Sequence, residues 1–438
     1  MFGKGGSSPG SRKVAYPLGM NAERDPNPAQ RVLIVALNYA PEQVGCAKYT
    51  TELAEDLVRR GHEVEVVCAP PYYPQWAIQE EYSGARWTTE TLNGVKLHRT
   101  PLYVPPKPTG LKRVLHLLSF GAASLPVSVA AARRFRPNIV FAVAPTLTSA
   151  TAALAAARAI KARSWLHIQD FEVDAAFDLG LLHNRGARSL ALGVERALLR
   201  QFDQVSSISP AMTALLTRKG VEPDRIFELR NWVDVDAIQA MPAGYGTYRK
   251  EVGIPSDHLV ALYSGNMAAK QGIEMLAEVA RRMEASNAPI TFLLCGDGPA
   301  RAPLEVSCEG LGNVRFLPLQ PVERLNELLN TADIHLLPQR PEAADLVLPS
   351  KLTGMLASGR PVVAMAQQGS GLASEIEGCG VAVEATVGAM AEGLLTLSRD
   401  AALRARLGST ARRCAEERWR KSAIISGFED RLSALFAS

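Results

Sequence analysis

From Thr91 to Gln169 the chain has no aspartate and no glutamate, yet it has eleven lysines and arginines. Over the full 438 residues the signs nearly balance, to a net charge of +4, which is too little for a general nucleic-acid binder. Cysteine is sparse. Six residues (Cys46, Cys68, Cys295, Cys308, Cys379, Cys414) lie scattered, without C-x-x-C spacing or a histidine pair at zinc spacing. That pattern excludes a disulfide framework and a structural zinc site, and it fits a reducing compartment. No G-x-x-x-x-G-K-[ST] loop is present, which excludes a P-loop nucleotide hydrolase. The first apolar strand runs into NYAPEQVG rather than G-x-G-x-x-G, which argues against a nicotinamide dehydrogenase. No G-x-S-x-G elbow joins a strand to a helix, so the common hydrolase type is also removed.

Long apolar runs are scarce as well. LHLLSFGAASLPVSVAAA (115–132) has eighteen residues, with His116 the one titratable group, and touches the lower limit for a membrane span. Pro126 and its many small residues favour a packed or membrane-grazing helix. Lys112, Arg113, Arg133 and Arg134 flank it, as suits the surface of an anionic leaflet; a basic solvated face is the plainer alternative. Residues 1–29 are rich in Gly, Ser and Pro and lack an apolar h-region. They are expected to form a disordered tail rather than a signal peptide, with Met20 a second place for translation to start.

What is there is a repeated alternation of strand and helix. RVLIVALNY (31–39) is an apolar strand, followed by an amphipathic helix that ends at Gly61 and a strand at Glu63–Cys68. Short joints between them predict a right-handed parallel unit. Further strands are expected at Asn138–Val143, Ser164–Ile168 and Gln204–Ile208. The pattern restarts near His258 with LVALYSGN, GIEMLAEVARRMEA, ITFLLCGDG, VRFLPL and ERLNELLNTADIHLLPQ. The polar segment from Val233 to Asp257 reads as the link. Two doubly wound domains would gather Pro41–Ala47, Gln169–Asp174, Gly265–Gly272, Gly296–Gly298 and Pro349–Lys351 around one cleft, outside the carboxyl ends of the strands.

Several of these loops carry chemistry. Gly45 precedes the first helix, where backbone N–H groups approach a phosphate or simply make a turn. LHIQD puts His167 and Asp170 at a strand end, as catalytic or sugar-orienting groups or as a hydrogen-bonded structural pair. In LVLPSKLTGMLASGRPV (346–362), Lys351 stands behind a Pro-Ser pair at the start of a short apolar helix. Ser350 is expected to cap that helix, and Gly359 and Pro361 to end it. A first-turn lysine opposes the helix dipole by roughly 0.3–1 kcal/mol. Either it reaches into solvent, or an anion lies beside it.

Laid out in order, these segments resemble glycosyltransferase family 4, the retaining nucleotide-sugar enzymes of the GT-B fold. The likeness runs from Arg31 to the C-terminus through RRGHEVEVV, LRNWVDVD, GNMAAKQGIE, LLCGDGPAR, VRFLPL and LASGRPVVA. NYAPEQVGCAKYT, APPYYPQW, LHIQDFEVDAAF and LPSKLTGMLASGRPVV narrow it to the colanic-acid-type, WcaI-like exopolysaccharide transferases. The resemblance implies an α/β GT-B architecture, two Rossmann-like doubly wound domains facing a central cleft. Residues 1–29 would be the tail, 30–235 the acceptor-binding domain and 236–415 the nucleotide-sugar domain. Residues 416–438 would pack back on the first domain. His167 and Asp170 become the catalytic candidates. Asn266, Lys270, Gln271, Gly296, Gly298, Ser350, Lys351 and Gly354 become the donor site, and Gly45 and Lys48 the acceptor or phosphate loop.

Two departures bear on the chemistry. The family often has an arginine and a lysine where this chain, aligned on Gly265 and Gly272, has neutral Asn266 and Gln271, with Lys270 out of register. The family's two glutamates fall on Leu346 and Gly354; Glu342 or Asp345 could replace the first, and residue 354 could touch a ribose only through its backbone. Family members are thought to transfer by same-face attack, with the leaving diphosphate helping to deprotonate the acceptor. The protein then stabilises charge and orients both sugars, and no metal or other cofactor is implied, the nucleotide sugar being a substrate. Implied partners are a nucleotide sugar (GDP-fucose in one relative's case), a polyprenyl-diphosphate-linked glycan and an anionic membrane surface, with no nucleic acid. The expected location is cytoplasmic, peripheral at the inner face of the bacterial membrane. A hydrolysing 2-epimerase of the same fold, or a non-catalytic scaffold of a polysaccharide-assembly complex, are the rival readings.

Overall fold

The computed structural model describes residues 28–42, 45–84, 86–107, 110–144, 147–171, 185–268, 271–340 and 349–437. The first sheet contains β1 (Arg31–Ala36), β2 (Glu63–Cys68), β3 (Thr88–Leu92), β4 (Val95–Arg99), β5 (Ile139–Ala144), β6 (Arg163–Ile168), β7 (Gln204–Ser207) and β8 (Ile226–Glu228). Its order is β3-β4-β2-β1-β5-β6-β7-β8, parallel except for the β3/β4 hairpin at one edge. Sequence periodicity alone does not point to that hairpin, but its turn, Asn93-Gly94, does: both residues have positive φ, as a tight hairpin requires.

The second sheet contains β9 (Leu259–Ser264), β10 (Ile290–Cys295), β11 (Val314–Leu317), β12 (Ile334–Leu337), β13 (Val362–Met365) and β14 (Gly380–Val383). Its order is β11-β10-β9-β12-β13-β14, with every pairing parallel. Central strands such as RVLIVA and ITFLLC are buried nearly throughout, because helices cover both faces of a parallel sheet. In each sheet the strand order reverses beside the first strand: β1 lies between β2 and β5, and β9 between β10 and β12. Those two reversal points open crevices at the carboxyl ends of the strands.

The chain crosses between the domains twice, and the crossings are bonded together. Val233 N–H donates to the Trp419 carbonyl (2.8 Å) and Lys421 N–H to the Val233 carbonyl (3.2 Å). The terminal helix, Lys421–Ala437, then buries Ile425, Phe428 and Leu432 among β1, β2 and β5 residues of the first domain. Glu429 fixes it there, accepting from Arg60 (2.7 Å) and meeting His62 Nε2 (2.8 Å).

Candidate active site

The second-domain side of the cleft is built from glycines. Gly265 follows β9, and its N–H donates to the Cys295 carbonyl at the end of β10 (3.0 Å). A Cβ on Gly296 would lie 1.9 Å from the Gly265 carbonyl oxygen, and one on Gly298 would lie 2.6 Å from that of Met267. Both glycines have φ near 150°, so the loops after β9 and β10 interlock at a separation that no side chain permits.

Lys351 rests on this platform. Its Nζ donates to the Tyr263 hydroxyl (2.9 Å) and lies 3.7 Å from where a Gly265 Cβ would be. The buried Tyr263 hydroxyl in turn donates to the Asn266 carbonyl (2.7 Å), and burial pushes its pKa up, so it stays protonated. A solvent-reaching lysine is therefore not what the fold contains: the ammonium is turned onto the joint after β9. The cap expected of Ser350 is absent. Ser350 has helical backbone angles and makes no side-chain cap, because the turn starts one residue earlier, with Leu352 N–H donating to the Pro349 carbonyl (3.0 Å). Gly354 faces Leu329, where its missing Cβ leaves 3.4 Å, and its carbonyl already accepts from Ser358 N–H. Asn266 is exposed and Gln271 half-buried at the same loop. Lys270, Glu342, Asp345 and Leu346 lie outside the described residues.

The first-domain side is built from hydrogen-bonded side chains. Buried Glu42 accepts from the Tyr72 and Tyr73 N–H groups (both 2.7 Å) and from Asn38 Nδ2 (2.8 Å). It thereby binds NYAPE to the APPYYPQW loop, while burial holds its pKa above the usual carboxylate value. Arg99 donates to the Ala40 and Ala69 carbonyls from the other side. Tyr73 reaches across the cleft, its hydroxyl 3.4 Å from Asn266 Nδ2. Neither Glu42 nor Tyr73 was singled out by motif; the run of three donors onto one carboxylate appears only in three dimensions.

His167 ends β6 but is buried. Its Nδ1 lies 2.9 Å from Ser206 Oγ, and its Nε2 lies 2.9 Å from Gln169 Nε2, which also donates to Asn231 Oδ1 (3.0 Å). Burial lowers its pKa to about 3. The imidazole is thus neutral and engaged at both nitrogens, and through Gln169 it is linked to Asn231. Asp170, two residues beyond the strand, is half-buried. Gly45 has φ 59° at the start of the Cys46–Arg59 helix, with open space around it. Lys48 is half-buried nearby, 3.9 Å from Glu52.

The acid-free stretch forms the Gly110–Phe135 helix, which packs on Leu147–Ile160. His116, Phe120, Ser124, Ser128, Ala131 and Ala132 form its buried face. The helix is long and apolar enough to cross a membrane, yet this face belongs to the protein core. Its first turns expose Leu111 (74%), Val114, Leu115 and Leu118. His116 carries no charge: burial lowers its pKa, and it bonds to the Tyr103 carbonyl (2.6 Å) and the Tyr72 hydroxyl (3.1 Å). One member of the flanking basic set has an acidic partner. Arg134 donates to Glu65 (2.7 Å), because the sheet brings an acid from β2 beside a stretch that has none of its own.

A cavity of about 520 Å³ lies elsewhere, lined by Arg163, Arg200, Asp203, Asp224, Arg225 and Arg431 among others, at the amino ends of β6 and β7. Arg225 and Arg431 donate to the main-chain carbonyls of Arg200 and Asp224 there, and Arg200 to that of Gly220. Among the described residues, no group of three or more His, Cys, Asp or Glu side chains converges as a metal site.

Comparison with known proteins bears on this geometry. The family model for the glycosyl transferase 4-like domain matches residues 44–232, and that for glycosyl transferases group 1 matches residues 258–400. The chain is 38% identical over 407 residues to a putative colanic acid biosynthesis glycosyl transferase, WcaI, of Escherichia coli K12, covering 91% of this chain and 98% of that one. Sucrose-phosphate synthase from Thermosynechococcus elongatus superposes with a TM-score of 0.70 at 19% identity, over 93% of this chain and 99% of that one. Anabaena HepE, solved with UDP and glucose, gives 0.65 at 16% identity, over 92% and 100%. With two reversed parallel sheets, interlocked glycine loops and both family models in register, the chain belongs to the GT-B glycosyltransferases of the type-4 family.

Proposed function

We propose that this glycosyltransferase takes its sugar from a nucleoside-diphosphate donor and passes it, with retention, to a lipid-diphosphate-linked glycan of exopolysaccharide assembly. The observation that carries the donor assignment is Lys351, whose ammonium is held by Tyr263 over Gly265. A buried diphosphate without cations or N–H donors is very costly, and this lysine supplies a charge where Asn266 and Gln271 have none. The family placement, the identity to a colanic acid transferase and the UDP held by a structural neighbour support the substrate class.

Charge stabilisation of the departing diphosphate is then the main catalytic contribution. In this reading neutral His167 orients Gln169 and Asn231, Asp170 orients the acceptor hydroxyl, and the leaving diphosphate takes the hydroxyl proton. The acceptor's lipid is met by the exposed leucines of the Gly110–Phe135 helix, together with Lys112 and Arg113. His116 of this helix bonds Tyr72 in the acceptor loop, so an anionic membrane surface and the cleft mouth would be neighbours. The enzyme would act as a peripheral protein on the cytoplasmic face.

Purified protein incubated with UDP- and GDP-sugars and a polyprenyl-diphosphate glycan should yield an extended glycan. Free epimerised sugar, or no product with any donor, would overturn the proposal.

A further inference from the structure

The joint after β9 is bordered by a second cation. Arg340 lies three residues beyond the end of β12, the strand beside β9. A Cβ on Gly272 would meet Arg340 Cγ at 3.5 Å and Arg340 N at 3.6 Å. Lys351 brings its ammonium end to Gly265, at the other end of the joint, whereas Arg340 meets Gly272 with its main-chain N and Cγ. The two cationic residues, both from the chain following β12, thus border the two ends of one short joint. The guanidinium meets the carboxylate of Glu274, and both side chains are about half exposed (48% and 51%). An exposed pair of this kind is weakly held and screened by water. Phosphate oxygens match the planar fork of arginine in the same way a carboxylate does, and carry more charge.

We propose that Arg340 is the second diphosphate-binding residue, leaving Glu274 when the donor enters and gripping the phosphates from the Gly272 side while Lys351 grips from the Gly265 side. Glu274 is then the resting partner that keeps the arginine over the joint. Together the two residues stand in for the positive pair that the joint itself lacks at Asn266 and Gln271. This inference rests on the donor-site reading above.

Calorimetric titration of the full chain with GDP and with UDP tests it, using whichever binds more tightly to the wild type. Arg340→Gln should weaken that nucleotide at least about tenfold, the size of one charge-assisted bond. Arg340→Lys should recover part of the loss. Glu274→Gln should tighten binding by about twofold, since it removes the competing carboxylate. Unchanged affinity in Arg340→Gln overturns the inference. So does a loss in Glu274→Gln equal to that in Arg340→Gln, which would make the pair a brace for the loop. Lys351→Gln run in parallel separates the two levels. If it loses affinity while Arg340→Gln does not, only the second cation falls. If neither loses affinity, or the wild type binds neither nucleotide, the donor-site reading falls with it.

Discussion

The two halves of the molecule solve one problem in two ways. Each must hold a loop at the carboxyl end of its sheet, beside the strand where the order reverses. The second domain does so sterically: Gly265, Gly296 and Gly298 let two backbones touch where no Cβ fits. The first does so with polar side chains, with Glu42 taking three donors and His167 tied to Ser206 and Gln169. A steric lock is rigid and indifferent to pH. A buried polar network depends on protonation and on every member being present. The second domain thus presents a fixed surface at its crevice, while the first presents one that depends on the state of its side chains.

The largest effect expected of this contrast is at Gly296. Gly296→Ala puts a methyl 1.9 Å from the Gly265 carbonyl oxygen, and should cost about 3 kcal/mol with loss of nucleotide binding. Gly45→Ala, at positive φ in open space, should cost only about 1–2 kcal/mol of backbone strain. Equal losses in urea unfolding would break the comparison. Glu42→Ala comes next: it strands two main-chain donors and should cost about 2 kcal/mol. Turnover should fall while nucleotide affinity holds, because the donor loops do not depend on Glu42; a matching fall in nucleotide affinity would refute the separation.

Acid should act through buried histidines in both halves, and most strongly through one in each. His167 and His335 are both lowered from 6.5 to about 3 by burial. Between those values the unfolded chain binds protons that the folded chain refuses, so stability falls as pH falls below about 6.5. The slope is at most about 1.4 kcal/mol per pH unit for each histidine. Unfolding midpoints at pH 7.5, 6 and 5 should show this, with His167→Gln and His335→Gln each removing part of the slope. The smallest effect on stability is expected at the exposed end of the Gly110–Phe135 helix. Leu115→Ser with Leu118→Ser should stay within about 0.5 kcal/mol of wild type. Binding to anionic liposomes should nevertheless fall, as it should for Lys112→Gln with Arg113→Gln, at about 1 kcal/mol per charge. Wild-type sedimentation with such liposomes in both variants would leave that surface as merely solvated.

Much of the fold was legible because it is written locally. β2 falls on Glu63–Cys68 as the apolar run predicts, and β6 and β7 begin and end within a residue of expectation. Lys351 was conspicuous for a similar reason: a cation in a first turn conflicts with its own surroundings. The expected cap at Ser350 failed because a capping pattern does not say on which residue a turn begins. The partner of Arg134, Glu65, was not legible because it is distant in sequence and arrives only through the sheet.

Composition and hydrophobic period alone determined two α/β halves, the strands, the glycine-bearing joints and the absence of P-loop and dinucleotide motifs, since these depend on neighbours along the chain. The tertiary structure decided what each polar group faces. It set Lys351 on Tyr263, leaned Arg340 over Gly272, buried His167 as a neutral base and opposed Tyr73 to Asn266 across the cleft. Those relations come from strand order and inter-domain contact, which join residues far apart in sequence and leave no periodic trace in it.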